Sequence, residues 1–382
     1  MEKSTQIALI VALVLILAGA AAIGVYIGLN HDRSFGEMFE NAVVETYETT
    51  TKDIVGDFDR IAITDNDAEI KLLPSGDGKA RIEYSVVEDR DYIVTVSDGV
   101  LDIRVDDDRS SFFNFTYRKI ILNVCLPDSE YESLTVDCSS GSVEVPEGFT
   151  FAETGIETSS GSVDLKANVT AAADINTTSG AIRLDNLKPQ SLTAESTSGS
   201  VKVNDAGAQD ARIMTTSGSA KINGGEFGSL EMNSSSGSIR VEGITAAKIS
   251  AEASSGSVTL TRCAVSGEAR VKTSSGSIEL ASCTAGSIDA EASSGKITLD
   301  GTVASGLARL SNSSGGVRFT KADAGELRIN TTSGSVRGSL LSGKMFDVRT
   351  GSGSEDVPAS DRDGGMCVIE TGSGSVSITI EG

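Results

Sequence analysis

Serine is the residue with the most opportunities for chemistry in this chain. It recurs in a Ser-Ser-Gly-Ser context between residues 139 and 375. A serine nucleophile needs a base within hydrogen-bond reach. The single histidine is His31, far from the serine motifs in sequence. Thirteen near-identical serine sites without a neighbouring base read as architecture. Five cysteines, Cys125, Cys138, Cys263, Cys283 and Cys367, show neither a Cys-x-x-Cys pair nor zinc-ligand spacing. Zinc sites and His-based triads are excluded on supply, so no metal and no cofactor is expected. A carboxylate or Ser/Lys mechanism is not excluded by counting. The Asp106-Asp107-Asp108 run lacks the pattern of a calcium-binding loop around it and reads as a solvated loop. Tyr47, Tyr84, Tyr92, Tyr117 and Tyr131 read as packing residues rather than as a carbohydrate platform.

One row of charges stands out. Arg183, Lys202, Lys221 and Arg240 each fall three residues after a motif glycine, at an outward position. Stacked about 4.8 Å apart, like charges repel unless something anionic lies beside them. Acidic neighbours such as Asp185, Asp205 and Glu242 could screen them. The sharper alternative is a linear basic strip that binds an anionic envelope polymer, teichoic-acid-like or an acidic polysaccharide.

The element that must position these residues is a repeat. Motif glycines fall at Gly141, Gly161, Gly180, Gly199, Gly218, Gly237, Gly256, Gly276, Gly295, Gly315, Gly334, Gly353 and Gly374, nineteen to twenty-one residues apart. Aligned on that glycine, apolar residues recur seven and five before it (Leu230 and Met232, for example) and two and four after it (Ile239 and Val241). Phe346 also falls in the first of these rows. Period-2 alternation on both sides of a glycine means strand, corner, strand, with the apolar face inward. The unit is too short for a crossover helix and cannot bury its apolar row alone, so the coils must stack. The predicted fold is all-β: a single-handed parallel β-solenoid (β-helix) of about thirteen regular 19–20-residue coils plus irregular N-terminal coils, preceded by one transmembrane helix. The glycine is expected to supply a positive φ at the corner. Cys263 and Cys283, each seven residues after their glycine, stack in adjacent coils, as buried small hydrophobes or as a disulfide.

Five segments follow from the pattern: a tail over 1–6, a transmembrane helix over 7–29, a juxtamembrane linker over 30–44, an irregular strand-rich cap over 45–135, and regular repeats over 136–382. The apolar run Ile7 to Leu29, as a helix of roughly 35 Å, suffices for a bilayer core of about 30 Å. A cleaved signal peptide ending near Ala18-Gly19-Ala20 is the competing reading, but apolar residues continue past that point. The short tail and the large acidic domain place residues after the helix outside the cell, as a single-pass membrane protein. A net charge of −22 argues against nucleic-acid binding, which needs a basic face. Toward the other end, Gly338 and Glu355 occupy inward positions. A loose coil is expected there, with residues 366–382 closing the stack.

The stretches "FDRIAITDNDAEIKLLPSGDG", "YIVTVSDGVLDIRVDDD" and "IILNVCLPDSEYESLTVDCSSGSVEV", followed by serial "SSGSV" units, resemble a bacterial family. It is the putative-adhesin β-strand-repeat family (domain of unknown function 4097), and the resemblance covers roughly residues 45–382. It implies a β-solenoid, often behind one N-terminal transmembrane helix, with no established catalytic residues. The function expected is a non-enzymatic, membrane-anchored, adhesin-like surface protein that presents its repeats to an envelope polymer, a glycan or a surface protein. An envelope-stress or regulatory accessory ectodomain is the alternative. A polysaccharide-acting enzyme is third, because the loops between strands are too short to wall a cleft.

Overall fold

The computed structural model of the protein describes residues 47–107 and 119–381. The expected membrane helix over 7–29 and its flanks over 1–6 and 30–44 lie outside the described residues, as does Asp108. The described residues fall in one compact unit. Among them every regular element is a β-strand, and no helix is long and apolar enough to cross a membrane.

Alternation creates the strands. In Val163–Leu165 the two apolar side chains are buried around the half-exposed Asp164. The same in-out pattern runs along most of Ala220–Ser234. Each residue pairs with its equivalent in the next coil: Val201 with Ala220 and Ala220 with Ile239, then Ile213 with Met232 and Met232 with Ala251. Pairing in the repeats is parallel, so identical rows stack at about 4.8 Å and exclude water from one another. The result is an all-β parallel solenoid of about thirteen coils.

The four expected inward rows are buried, as Leu230, Met232, Ile239 and Val241 illustrate within one coil. Phe346 departs from its row and is only partly buried. Two more rows face inward, seven and nine residues after the glycine. Ile244, Cys263 and Cys283 belong to the first, and Ala246, Val265 and Ala285 to the second. Their small and mixed side chains weakened the periodic signal.

The corner glycines have a different reason from the expected one. None of the thirteen has a positive φ. Instead, a Cβ built on Gly180 would stand 1.8 Å from the carbonyl oxygen of Gly161, and one on Gly199 would stand 1.7 Å from that of Gly180. Successive corners touch through their backbones, and only hydrogen fits between them. Positive φ falls six residues later, at Asn186, Asp205, Gly224, Gly243, Arg262, Ser282, Gly301 and Lys321 in eight consecutive coils. That is the second bend of the coil.

Three residues before the glycine, a buried hydroxyl or amide closes the corner in several coils. Thr177 Oγ1 accepts the Gly180 N–H at 3.0 Å and donates to the Gly161 carbonyl at 3.3 Å. Ser196, Thr273 and Asn312 repeat both contacts in their own coils. The ladder satisfies backbone groups that the bend removes from the strand pairing.

Both ends of the stack are built out of chain order. Arg60–Asp65 pairs in parallel with Val100–Asp107 on one side and Glu130–Cys138 on the other. Glu69–Pro74 likewise lies between Ile121–Leu126 and Val143–Val145. The earlier coil is therefore inside and the later one outside. Antiparallel strands cover that outer coil: Arg90–Ser97 on Val100–Asp107, Arg81–Ser85 on Ile121–Leu126, and Thr49–Asp53 on Arg81–Ser85.

At the opposite end Gly365–Thr371 sits between Val317–Thr331 and Lys344–Thr350, and Val376–Ile380 between Val336–Leu340 and Glu355–Asp356. The expectation that residues 366–382 close the stack is thus corrected. The coil spanning Lys344 to Asp356 is outermost, and the last two strands are inserted beneath it. Its two-residue strand Glu355–Asp356 is charged and is followed by Pro358, features that discourage pairing with a further strand.

Candidate functional site

The basic row is assembled as a continuous ladder. Strand register sets Arg183 beside Lys202, Lys202 beside Lys221, and Lys221 beside Arg240. The screening expected from neighbouring acids is uneven. Arg183 Nε bonds Asp185 at 2.8 Å. Burial works to raise the Asp185 pKa, but hydrogen bonds from Asn204 and Arg183 outweigh it and hold the carboxyl below its usual range. Asn223 donates in turn to Asn204 at 2.8 Å, so amides rather than acids continue the row beside the lysines. Glu242 pairs with Arg262. Among the described residues, Lys202, Lys221 and Arg240 form no ion pair. The same row continues through Thr259, Glu279 and Thr298 to a second basic step, Arg318 beside Arg337. The alignment on glycine contained that step; the interruption by Glu279 hid it.

On the other side of the Ser-Gly corner runs a trough of about 700 Å³. It extends from the coil of Glu157 to that of Glu291, eight coils separated by seven steps, or roughly 34 Å. One wall is the outward row four residues before the glycine, including Glu195, Asn233 and Glu252. The other is the row two before it, including Thr197, Ser235 and Ser254. The buried row between them, from Thr158 to Thr273, forms the floor. Sequence reading took these positions only as corner chemistry, because nothing in a linear pattern shows that two outward rows enclose a concave strip.

Two buried ion clusters lie near the ends. Arg90, in the hairpin strand, has a fully buried side chain and bonds Asp65 at 2.7 Å, with Asp67 and Asp107 as further partners. Tyr92 Oη donates to Asp65 at 2.6 Å. Burial disfavours the Arg90 charge, but Tyr92 and Asp65 outweigh it and raise its pKa. The Asp106–Asp108 run is therefore corrected in one respect: Asp107 accepts from Arg90 rather than standing in a solvated loop. Lys344 bonds Asp323 at 2.6 Å and the Ala324 carbonyl at 2.8 Å.

All five cysteines are buried free thiols, including Cys263 and Cys283. Cys263 Sγ donates to the carbonyls of Val241 and Thr261, and Cys283 Sγ to those of Leu260 and Ala281; the adjacent Cys283 thiol, then burial, push the Cys263 pKa up. Among the described residues no three His, Cys, Asp or Glu side chains converge as metal ligands.

Several solved structures are similar in part. A putative adhesin from Bacteroides fragilis NCTC 9343 is 16% identical, with a TM-score of 0.33, covering 66% of this chain and 96% of that one. A putative cell adhesion protein from Clostridium sporogenes ATCC 15579 is 9% identical, with a TM-score of 0.16, covering 87% and 100%. A putative adhesin from Parabacteroides distasonis ATCC 8503 is 12% identical, with a TM-score of 0.21, covering 86% and 100%. Among curated proteins none matches the chain. The Toastrack DUF4097 family matches over residues 58–264, 186–306 and 266–382, spanning most of the cap and every repeat. With that coverage, and with a stacked parallel solenoid beneath it, the chain belongs to the Toastrack DUF4097 family.

Proposed function

We propose that this protein is a non-enzymatic surface interaction module, anchored in the cell membrane by residues 7–29, whose solenoid binds a linear anionic envelope polymer. The observation that carries this reading is the run Lys202, Lys221 and Arg240. These are three cations in register on neighbouring strands with no carboxylate among the described residues paired to them. Holding them there costs repulsion that an anionic chain lying along the axis relieves rung by rung. The net charge of −22 does not prevent this, because at physiological salt charges more than about 8 Å away are largely screened. Polymer contact therefore depends on the local strip, and each rung adds to the same binding event.

The test uses the full chain and a polyglycerol-phosphate polymer as the probe. Binding is expected to weaken as salt rises. The Lys202→Glu, Lys221→Glu double variant is expected to lose it while retaining the melting temperature of the parent. Binding that is indifferent to salt, or unchanged in that variant, would sink the reading. Extraction of the chain from membranes by alkaline carbonate would separately refute the anchor.

A further inference from the structure

The trough beside the Ser-Gly corner offers different chemistry from the basic strip. Its upper walls carry carboxylates, amides and hydroxyls. Arg212 approaches Glu195 to 3.8 Å, and Arg270 approaches Glu252 to 3.7 Å. Asn233 donates to Glu231 at 2.7 Å, which leaves its carbonyl for a ligand. Lys272 is held by Glu291 at 2.7 Å. Hydroxyls on the facing wall donate and accept equally well. Such a lining suits a ligand rich in O–H groups and repels a polyanion.

The rung spacing narrows the ligand further. An extended peptide advances about 3.3 Å per residue and would fall out of step with rungs about 4.8 Å apart within a few residues. A chain of six-membered sugar rings advances close to one rung per ring and presents hydroxyls on both edges. From this geometry we infer that the trough is a binding site for one neutral linear polysaccharide chain, lying along the solenoid axis between the Glu195–Asn233–Glu252 wall and the Thr197–Ser235–Ser254 wall. Binding per ring is weak, since no aromatic side chain among the described residues lines the trough, and affinity comes from the number of rungs engaged.

The experiment titrates the full chain with linear β-linked gluco-oligosaccharides from the disaccharide to the octasaccharide. Affinity is expected to rise with each added ring and to level off once the trough is spanned. Ser235→Leu, a change at an exposed position that fills the trough without offering a ring to stack on, is expected to weaken the octasaccharide at least tenfold. The Lys202→Glu, Lys221→Glu variant keeps full oligosaccharide binding, which separates this site from the anionic strip. No dependence on chain length, or octasaccharide binding that survives Ser235→Leu, would overturn the proposal. So would a preference for a linear polyamine over the sugars, which would make the trough a site for cations.

Discussion

The carbonyl oxygen of Gly199 lies 1.9 Å from the point where a β-carbon on Gly218 would stand. No real Cβ survives at that distance, so any side chain at Gly218 must push two coils apart. Gly218→Ala is expected to destabilise the solenoid by about 1–3 kcal/mol or more, the range for overpacking. Gly155→Ala is the control: nothing lies within 4 Å of its β-carbon and its φ is ordinary. Denaturant unfolding of the two variants should differ clearly. Equal stability would show that the coils separate freely.

The second bend makes the opposite prediction. Ser282 and Lys321 sit at φ of 53° and 48°, where a side chain costs about 1–2 kcal/mol. Ser282→Gly and Lys321→Gly are expected to raise stability, after the entropy of glycine in the unfolded chain is subtracted, by up to about 1 kcal/mol each. Gly243→Ala tests the same point in reverse. Its φ is 66° with open space around the β-carbon, so any loss there is conformational rather than steric.

Within the hydroxyl ladder, Thr273→Val keeps the shape and removes the bonds to Gly276 N–H and the Gly256 carbonyl. Two buried backbone groups then go unpaired, at about 1–3 kcal/mol for each. Ser234→Ala removes a hydroxyl that has no partner and should leave melting nearly unchanged. A similar loss in both variants would mean that the ladder contributes through packing alone.

The inserted C-terminal strands should be sensitive to acid. Burial works to raise the pKa of Asp323, but hydrogen bonds from Lys344 and Ser342 outweigh it and hold the carboxyl below its usual 3.8. A depressed folded pKa contributes stability that is complete above the unfolded value and is lost as pH falls through the folded one. Lys344 belongs to the outermost coil and bonds Asp323 and the Ala324 carbonyl beyond the inserted strand Gly365–Thr371. Hydrogen-exchange protection of that strand is expected to fall below about pH 4, before the central coils lose theirs. In Asp323→Asn it should be low already at neutral pH. Loss of protection in step with the central coils would refute the link.

Thiol labelling provides the last check. Burial pushes Cys138 up to about 11 and Cys367 up to about 12, so these two thiols should resist alkylation in the native chain at mildly basic pH. After denaturation without reductant, all five thiols should label. A shortfall of two labels on peptides containing Cys263 and Cys283 would show a disulfide instead.

The basic row was legible in the sequence because strand register follows the repeat: once Gly180, Gly199, Gly218 and Gly237 are aligned, Arg183, Lys202, Lys221 and Arg240 must be neighbours. The trough was not legible. Ser234 and Glu252 look like ordinary members of their rows until the curvature of the corner brings two outward rows face to face. The positive-φ bend was hidden for another reason. Its position holds Asn, Asp, Gly, Arg, Ser and Lys in different coils, and a conformational requirement met by so many residue types leaves no consistent letter.

From its sequence alone, then, the protein was determined to be a parallel stack of coils with Gly-marked corners. A period of nineteen or twenty with alternating apolar residues has no other way to bury each row against its copies. Only the tertiary structure decided why the corner must be glycine, through contact between backbones that are nineteen or twenty residues apart in the regular coils. It alone decided the order of the ends, where Arg60–Asp65 and Gly365–Thr371 are each placed between two other coils. All coils of a repeat are chemically able to pair with one another. Which one lies outermost depends on long-range partners such as Arg90 with Asp65 and Lys344 with Asp323, and these carry no trace in the period.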